Sequence, residues 1–201
     1  MRKTDVKVSK TLSWLLRHGA EKEGLTLGPG GWAKVDEVLK TSSFKKIDLE
    51  KIKEVVANCP KKRFALKDDD GTLYIRANQG HSLQVEDLDL EEITADSDVP
   101  AVIHGTYHRH WSSIKQQGLS RMNRTHIHFT PGAPGESGVI SGMRSSCEIL
   151  IYVDLAKALS AGIKFHKSVN NVILCSGNDS GYLPPQYFLK VVDRKTGEPV
   201  V

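Results

Sequence analysis

The chain has 201 residues, 39% hydrophobic and 26% charged, with a formal net charge of +4, which makes one large soluble domain or two small ones, each able to bury a modest core. The three cysteines, Cys59, Cys147 and Cys175, are odd in number and lack CxxC spacing, which speaks against a disulfide framework. No apolar run approaches the roughly 20 residues of a membrane span and Met-Arg-Lys-Thr-Asp has no apolar leader core, so a soluble cytoplasmic or nuclear protein is expected.

From the N-terminus, Val8, Leu12, Leu15 and Leu16 fall at helical spacing within Val6–Arg17, and Gly19 follows as a left-handed cap candidate. Gly30-Gly31-Trp32 reads as a turn into a short extended piece, after which Asp36 is expected to cap a helix over Glu37–Lys40. Asp48 opens a further helix whose Ile52, Val55 and Val56 share a face, ending near Cys59-Pro60. Lys61–Leu66 and Thr72–Arg76 form two strands around Asp68-Asp-Asp-Gly71, and Asp-Gly is a hairpin signal. Three helices followed by a hairpin is the order of a winged helix, a fold that does not by itself imply DNA binding. Arg76-Ala-Asn-Gln-Gly-His-Ser82 then reads as a polar loop without apolar anchors.

Charge divides the chain next. Residues 1–80 carry 17 Lys and Arg against 11 Asp and Glu, residues 81–100 carry none against seven, and residues 101–201 carry 11 against six. Two basic blocks thus flank an acidic strip, read as a solvated linker over 85–99 between a domain at 1–84 and another at 100–201. The basic blocks leave room for a polyanion.

In the second domain Val102-Ile103 is a short strand running into His104-Gly105-Thr106. Trp111–Gly118 looks like a short helix with a glycine stop, Ile114 and Leu119 facing inward. Pro131–Gly138 is a loop on composition, with Ser141-Gly-Met-Arg144 beyond it. Glu148–Val153 is a buried strand, Asp154 caps a helix through Ala161, Asn171–Cys175 is another strand and Tyr187–Val192 a final apolar segment. The fold class is α+β, the second domain being a compact mixed α/β sheet.

The densest chemistry lies in Arg124-Thr-His-Ile-His-Phe-Thr130. As a strand it sends Arg124, His126, His128 and Thr130 to one face and Thr125, Ile127 and Phe129 to the other. Neighbours on one face repeat about every 6.5–7 Å, so an arginine fork and two imidazoles suit a phosphate or nucleotide groove. An ordinary half-exposed strand is the plain alternative. Zinc on His126 and His128, or on His108 and His110, is a further one, opposed by the arginine on that face and by the lack of a nearby carboxylate or cysteine. No Walker loop, GxGxxG, HExxH or GxSxG is present, so the chemistry rests on dispersed residues.

Four segments coincide in order and spacing: Leu15-Leu-Arg17-His18-Gly19, Arg76-Ala-Asn-Gln-Gly-His-Ser82, His104-Gly-Thr106 and Arg124-Thr-His-Ile-His128. Together they resemble the tRNA 2′-phosphotransferase family of the KptA type across essentially the whole chain. The resemblance implies an N-terminal winged-helix-like lobe followed by a C-terminal ADP-ribosyltransferase-like lobe. It also implies NAD as co-substrate and a 2′-phosphorylated RNA, the spliced tRNA, as partner, with no metal and no membrane. A monomer is expected.

In the reaction so implied, the RNA 2′-phosphate attacks the anomeric carbon of NAD's nicotinamide ribose and expels nicotinamide. The ribose 2″-hydroxyl then attacks phosphorus, releasing 2′-hydroxyl RNA and ADP-ribose 1″,2″-cyclic phosphate. The family's three arginines and one histidine fall on Arg17, His18, Arg76 and Arg124, and guanidinium forks suit a phosphate dianion better than lysine does. His18 would bind the phosphate or move a proton. For NAD the resemblance points to His104, Gly105, Thr106 and His128, Gly105 permitting close backbone approach, with Arg144 as a partner for the pyrophosphate.

Protein-modifying members of the wider transferase superfamily carry a glutamate on a later strand; here that strand is Asn171–Leu174 with an apolar residue instead, which speaks against protein modification. Two other functions stand beside the first: ADP-ribosyl capping of terminal phosphates of RNA or DNA, which stops after the first step, and a noncatalytic winged-helix nucleic-acid binder. The intact His104-Gly-Thr106 and His126-Ile-His-Phe-Thr130 segments oppose the binder.

Overall fold

The computed structural model describes residues 2–133, 139 and 143–201. The chain divides into two compact units, Met1–Asp89 and Leu90–Val201. The part of the glycine-rich loop at 134–138, and Ser141 and Gly142, lie outside the described residues.

The first unit opens with α1 (Lys3–Trp14), whose first turn is closed by Asp5 accepting a hydrogen bond from the Arg2 backbone N–H at 3.1 Å. Val8, Leu12, Leu15 and Leu16 are buried, as their spacing requires. The helix does not stop at a left-handed Gly19. It widens into a single π turn over Leu15–Gly19, and the first left-handed residue is Gly24 at φ 69°. Gly19 is needed for another reason: a Cβ there would lie 2.5 Å from the Trp14 ring.

The short α2 (Val35–Lys40) starts two residues earlier than the acidic residues suggest. Lys34 is the capping residue and Asp36 sits inside the first turn, where its charge still favours the positive helix end. In α3 (Leu49–Ala57) the Asp48 carboxylate accepts from Lys51 N at 2.8 Å, and Ile52 and Val55 are buried while Val56 is half-buried.

β2 (Phe64–Asp69) and β3 (Thr72–Ala77) form the hairpin, Asp69 pairing with Thr72. Asp70 and Gly71 both have positive φ, 49° and 77°, the pattern a two-residue hairpin turn requires. β1 (Ala33–Lys34) pairs antiparallel on the far side of β3, giving the order β1-β3-β2. Helices and sheet close over Leu12, Leu15, Leu16, Val35, Val38, Phe44, Ile52, Val55, Phe64 and Ile75.

The strip read as a solvated linker carries structure. Leu90–Ile93 is β4, paired with Phe165–Ser168 (β9), because Ile93 finds a place in the second core while Glu91 and Glu92 stay exposed. In the second unit β4, β9, β10 (Ile173–Cys175) and β7 (Ile127–Phe129) form one antiparallel sheet in that order. A second sheet runs β12 (Phe188–Asp193), β8 (Ile149–Val153), β5 (Ile103–Thr106). Reciprocal backbone hydrogen bonds between Ile103 and Thr130, 3.0 and 2.9 Å, join β5 to the chain just after β7.

α4 (His108–Gln117) begins three residues before the expected Trp111 and ends on Gly118 at φ 94°, where Leu119–Ser120 (β6) pairs with Tyr182–Leu183 (β11). α5 (Leu155–Ser160) is capped by Asp154, which accepts from Lys157 N at 3.0 Å. The core of this unit gathers Ile127, Phe129, Ile149, Ile151, Phe165 and Ile173. The whole is α+β, with small antiparallel sheets and few helices.

Candidate phosphate and nucleotide site residues

In the first unit the π turn does the positioning. Single π turns recur at functional sites because the extra residue turns side chains out of the regular helical register. Here the turn carries Arg17 and His18, both half-buried, with Nε and Nη2 of Arg17 withdrawn from solvent. It rests against β3 and the segment that follows it.

That segment, Arg76–His81, which reads as a polar loop without apolar anchors, is buried throughout, with His81 fully enclosed. The reason is a set of backbone anchors in place of apolar ones: Asn78 N donates to Arg63 O at 2.9 Å, Asn78 Nδ2 to Lys62 O at 2.8 Å, and Ser82 N to Arg17 O at 3.0 Å. Gly80 adopts φ 90°, and a Cβ there would stand 3.3 Å from both Cζ and Nε of Arg17. The Ser82 hydroxyl lies 2.8 Å from Nδ1 of His18, fixing that ring.

Arg76 is buried to 7% exposure at the end of β3. Its Nη2 donates to Asp89 at 3.1 Å, its Cζ lies 4.6 Å from the Trp32 ring centroid, and its buried Nε has no hydrogen-bond partner among the described residues. A buried donor left unmet is costly unless a ligand or water satisfies it. Gly30 stands over the same group: a Cβ there would come within 3.4 Å of Arg76 Nη1. Each of the two arginines is thus approached by a left-handed glycine, which leaves room for the guanidinium and fixes its surroundings.

In the second unit Arg124 is not on a strand. Only Ile127–Phe129 pairs as β7, and Arg124 sits in the preceding turn, its N–H donating to Arg121 O at 3.1 Å after Met122 at φ 54°. Arg121 Nη1 in turn donates to Arg124 O at 2.8 Å. Thr130 is fully buried and its hydroxyl donates to Gly132 O, so it leaves the expected polar row. The alternation survives where the strand is real, with Ile127 and Phe129 buried and His128 half-buried between them. Arg124 is exposed, yet partial desolvation and then the charge of Arg144 hold its pKa below the ordinary arginine value.

His104, on β5, shares a hydrogen bond at 2.9 Å between Nδ1 and the His128 carbonyl, and burial pushes its pKa down against the opposing pull of that bond. The ring is therefore neutral at pH 7, Nδ1 donates, and Nε2 is the acceptor left for a ligand. Thr106 is buried, and its carbonyl accepts from Glu148 N. Gly105 faces Met143 and Cys147, whose sulfurs would lie 2.7 and 2.9 Å from a Cβ, so internal packing demands a glycine there. Arg144 is exposed and hydrogen-bonds Tyr107, whose hydroxyl also meets Ser146 at 2.8 Å; these bonds lower the tyrosine pKa. Among the described residues no three His, Cys, Asp or Glu side chains are grouped to hold a metal ion, and no helix is long and apolar enough to cross a membrane.

Sequence reasoning passed over Trp32, Ser82, Tyr107 and Asp89. Trp32 stood next to two glycines and signalled only a turn; the antiparallel register that brings it to Arg76 is a tertiary fact. Tyr107 adjoined the recognised His104-Gly-Thr106 segment without a polar partner visible in the sequence.

Residues 3–177 match the family model described as RNA 2'-phosphotransferase, Tpt1 / KptA family. The tRNA 2'-phosphotransferase 1 of Danio rerio is 52% identical over 188 residues, spanning 92% of this chain and 84% of the relative. That of Homo sapiens is 46% identical over 200 residues, 98% and 79% of the two chains. A probable RNA 2'-phosphotransferase of Rhizobium johnstonii is 36% identical over 196 residues, 97% of each. On that extent of similarity the chain belongs to the RNA 2'-phosphotransferase, Tpt1 / KptA family.

Proposed function

We propose that this protein is an enzyme that removes an internal 2′-phosphate from RNA, the one left at a tRNA splice junction, with NAD as co-substrate. The observation that carries the reading is the pair of enclosed guanidinium groups, Arg17 against Gly80 and Arg76 against Gly30, the second with a buried N–H that no described residue satisfies. The first unit serves as the winged-helix-like RNA lobe and the second as the ADP-ribosyltransferase-like lobe.

Arg17 and Arg76, both on the first unit, hold the 2′-phosphate, and Arg124, on the second, is assigned to the same reaction. A guanidinium presents paired N–H donors in a plane that matches two phosphate oxygens, and its weak hydration makes the exchange of water for phosphate less costly than for an ammonium. His18, its ring held by the Ser82 hydroxyl 2.8 Å from Nδ1, binds the same dianion. As charge concentrates on the transferring phosphorus centre, these fixed donors stabilise it more than water would.

The donor set of the second unit fits a dinucleotide. His104 Nε2, neutral and accepting, suits a ribose hydroxyl; His128 lies on the neighbouring strand end; Arg144, exposed and cationic, suits a pyrophosphate. Bound NAD supplies an anomeric carbon with nicotinamide as leaving group and a vicinal ribose hydroxyl. Gly105 serves by letting β5 pack on Met143 and Cys147, which holds His104 in register.

The test is turnover of a short RNA carrying one internal 2′-phosphate. Loss of the 2′-phosphate only when NAD is present, with Arg17→Ala, Arg76→Ala and Arg124→Ala each slowing it by orders of magnitude, is the expected result. Dephosphorylation without NAD, or wild-type turnover by any of the three variants, would overturn the assignment.

A further inference from the structure

We propose that Trp32 is a positioning residue for Arg76: its indole face sets the plane of the guanidinium that grips the 2′-phosphate. This rests on the assignment of Arg76 made above. The strand register delivers the pair. Ala33 pairs with Ile75 and Lys34 with Tyr74, so one further step of the antiparallel ladder sets Trp32 beside Arg76. The backbone of Trp32 is pinned as well, its carbonyl accepting from Gly28 N at 2.8 Å, while Gly30 N donates to Glu86 O at 2.8 Å.

Two contacts compete to orient the guanidinium. Asp89 meets Nη2 at 3.1 Å, but its side chain is 66% exposed, and ion pairs so wetted contribute little. Trp32 lies 4.6 Å from Cζ of an arginine whose side chain is only 9% exposed, the desolvated setting in which a cation over indole is strongest. Lys67 Nζ sits 4.9 Å from the same ring and 5.3 Å from Tyr74, so the ring's electrons already face a second cation. The ion pair holds one nitrogen, whereas the ring fixes the plane, and a bidentate grip on phosphate depends on the plane.

The experiment replaces Trp32 with Leu, with Phe, and by site-specific incorporation with mono-, di- and trifluorotryptophan, which keep the shape and progressively drain the ring's negative face. Trp32→Leu is expected to lower kcat/KM on 2′-phosphorylated RNA about tenfold, Trp32→Phe less, and the fluorinated series by steps that follow the number of fluorines. In the Arg76→Ala background, where activity should already have collapsed, Trp32→Leu should cost nothing further. Asp89→Asn should change kcat/KM by less than about threefold. A flat fluorine series, or Trp32→Leu subtracting the same factor with and without Arg76, would overturn the positioning role while leaving the Arg76 assignment intact. Wild-type activity of Arg76→Ala would overturn both.

Discussion

Gly80→Ala separates the site from the scaffold. Gly80 holds φ 90°, where an L residue costs about 1–3 kcal/mol. The added Cβ would stand 3.3 Å from Cζ and Nε of Arg17, too close by a few tenths of an ångström. The guanidinium cannot swing away freely, because its Nε and Nη2 are enclosed and the Arg17 carbonyl is tied to Ser82 N at 3.0 Å. A misplacement of 1 Å costs about a hundredfold in rate, so a few tenths should cost about three- to tenfold. The strain itself should lower the thermal midpoint by several degrees, yet a domain stable by about 5–15 kcal/mol stays folded at 25 °C after losing 1–3. Gly24→Ala is the control: φ is 69° and a Cβ there meets nothing within 4 Å, so it carries strain without contact. Steady-state kinetics at 25 °C and a thermal melt should show both variants less stable and only Gly80→Ala slower. Equal kcat/KM for Gly80→Ala and wild type, alongside a lowered midpoint, would refute the placement of Arg17 at the reacting phosphate.

Other consequences follow from particular atoms. Gly118→Ala places a Cβ 2.2 Å from the Leu183 carbonyl oxygen at φ 94°, so it should cost the second unit about 2–6 kcal/mol through strain and overpacking; a denaturant midpoint within error of wild type would contradict the β6–β11 geometry. His104 should titrate below 6.5 by NMR of its ring nitrogens, since burial outweighs its bond to the His128 carbonyl. Between that folded value and 6.5 the unfolded chain binds more protons, so this group's contribution to stability is complete above 6.5 and is lost as pH falls through the window; a folded-state value above 6.5 would reverse the sign. Arg124→Ala should slow the reaction by orders of magnitude and let a phospho-ADP-ribosylated RNA accumulate; rapid turnover without that species would place Arg124 outside the second step.

Local signals in the sequence were reliable where one residue carries the physics. Asp48 and Asp154 cap their helices with hydrogen bonds of 2.8 and 3.0 Å, and Asp-Gly at 70–71 makes the hairpin turn with both φ values positive. The buried positions of the first helix follow its apolar spacing. What failed were inferences that needed neighbours. The polarity of Arg76–Ser82 suggested water, but its backbone partners come from Arg17, Lys62 and Arg63, far away in sequence. Gly19 read as a helix cap because glycine usually serves there, while the actual demand is the Trp14 ring beside it. The Arg124 row read as one strand face because alternation is visible in sequence, and the turn that takes Arg124 out of the strand is fixed by Met122 and Arg121. The candidate site residues stood out as motif segments; the glycines and the tryptophan that shape the space around two of them did not.

The most direct measurement follows the phosphorus atom. A short RNA with a single ³²P-labelled internal 2′-phosphate is incubated with the protein and NAD, and the fate of the label is resolved by chromatography. The account predicts that the label leaves the RNA as ADP-ribose 1″,2″-cyclic phosphate, in step with nicotinamide release, and that the RNA is left with a free 2′-hydroxyl. Label released as inorganic phosphate, or retained on the RNA after nicotinamide has been released in equal amount by the wild-type protein, would contradict it.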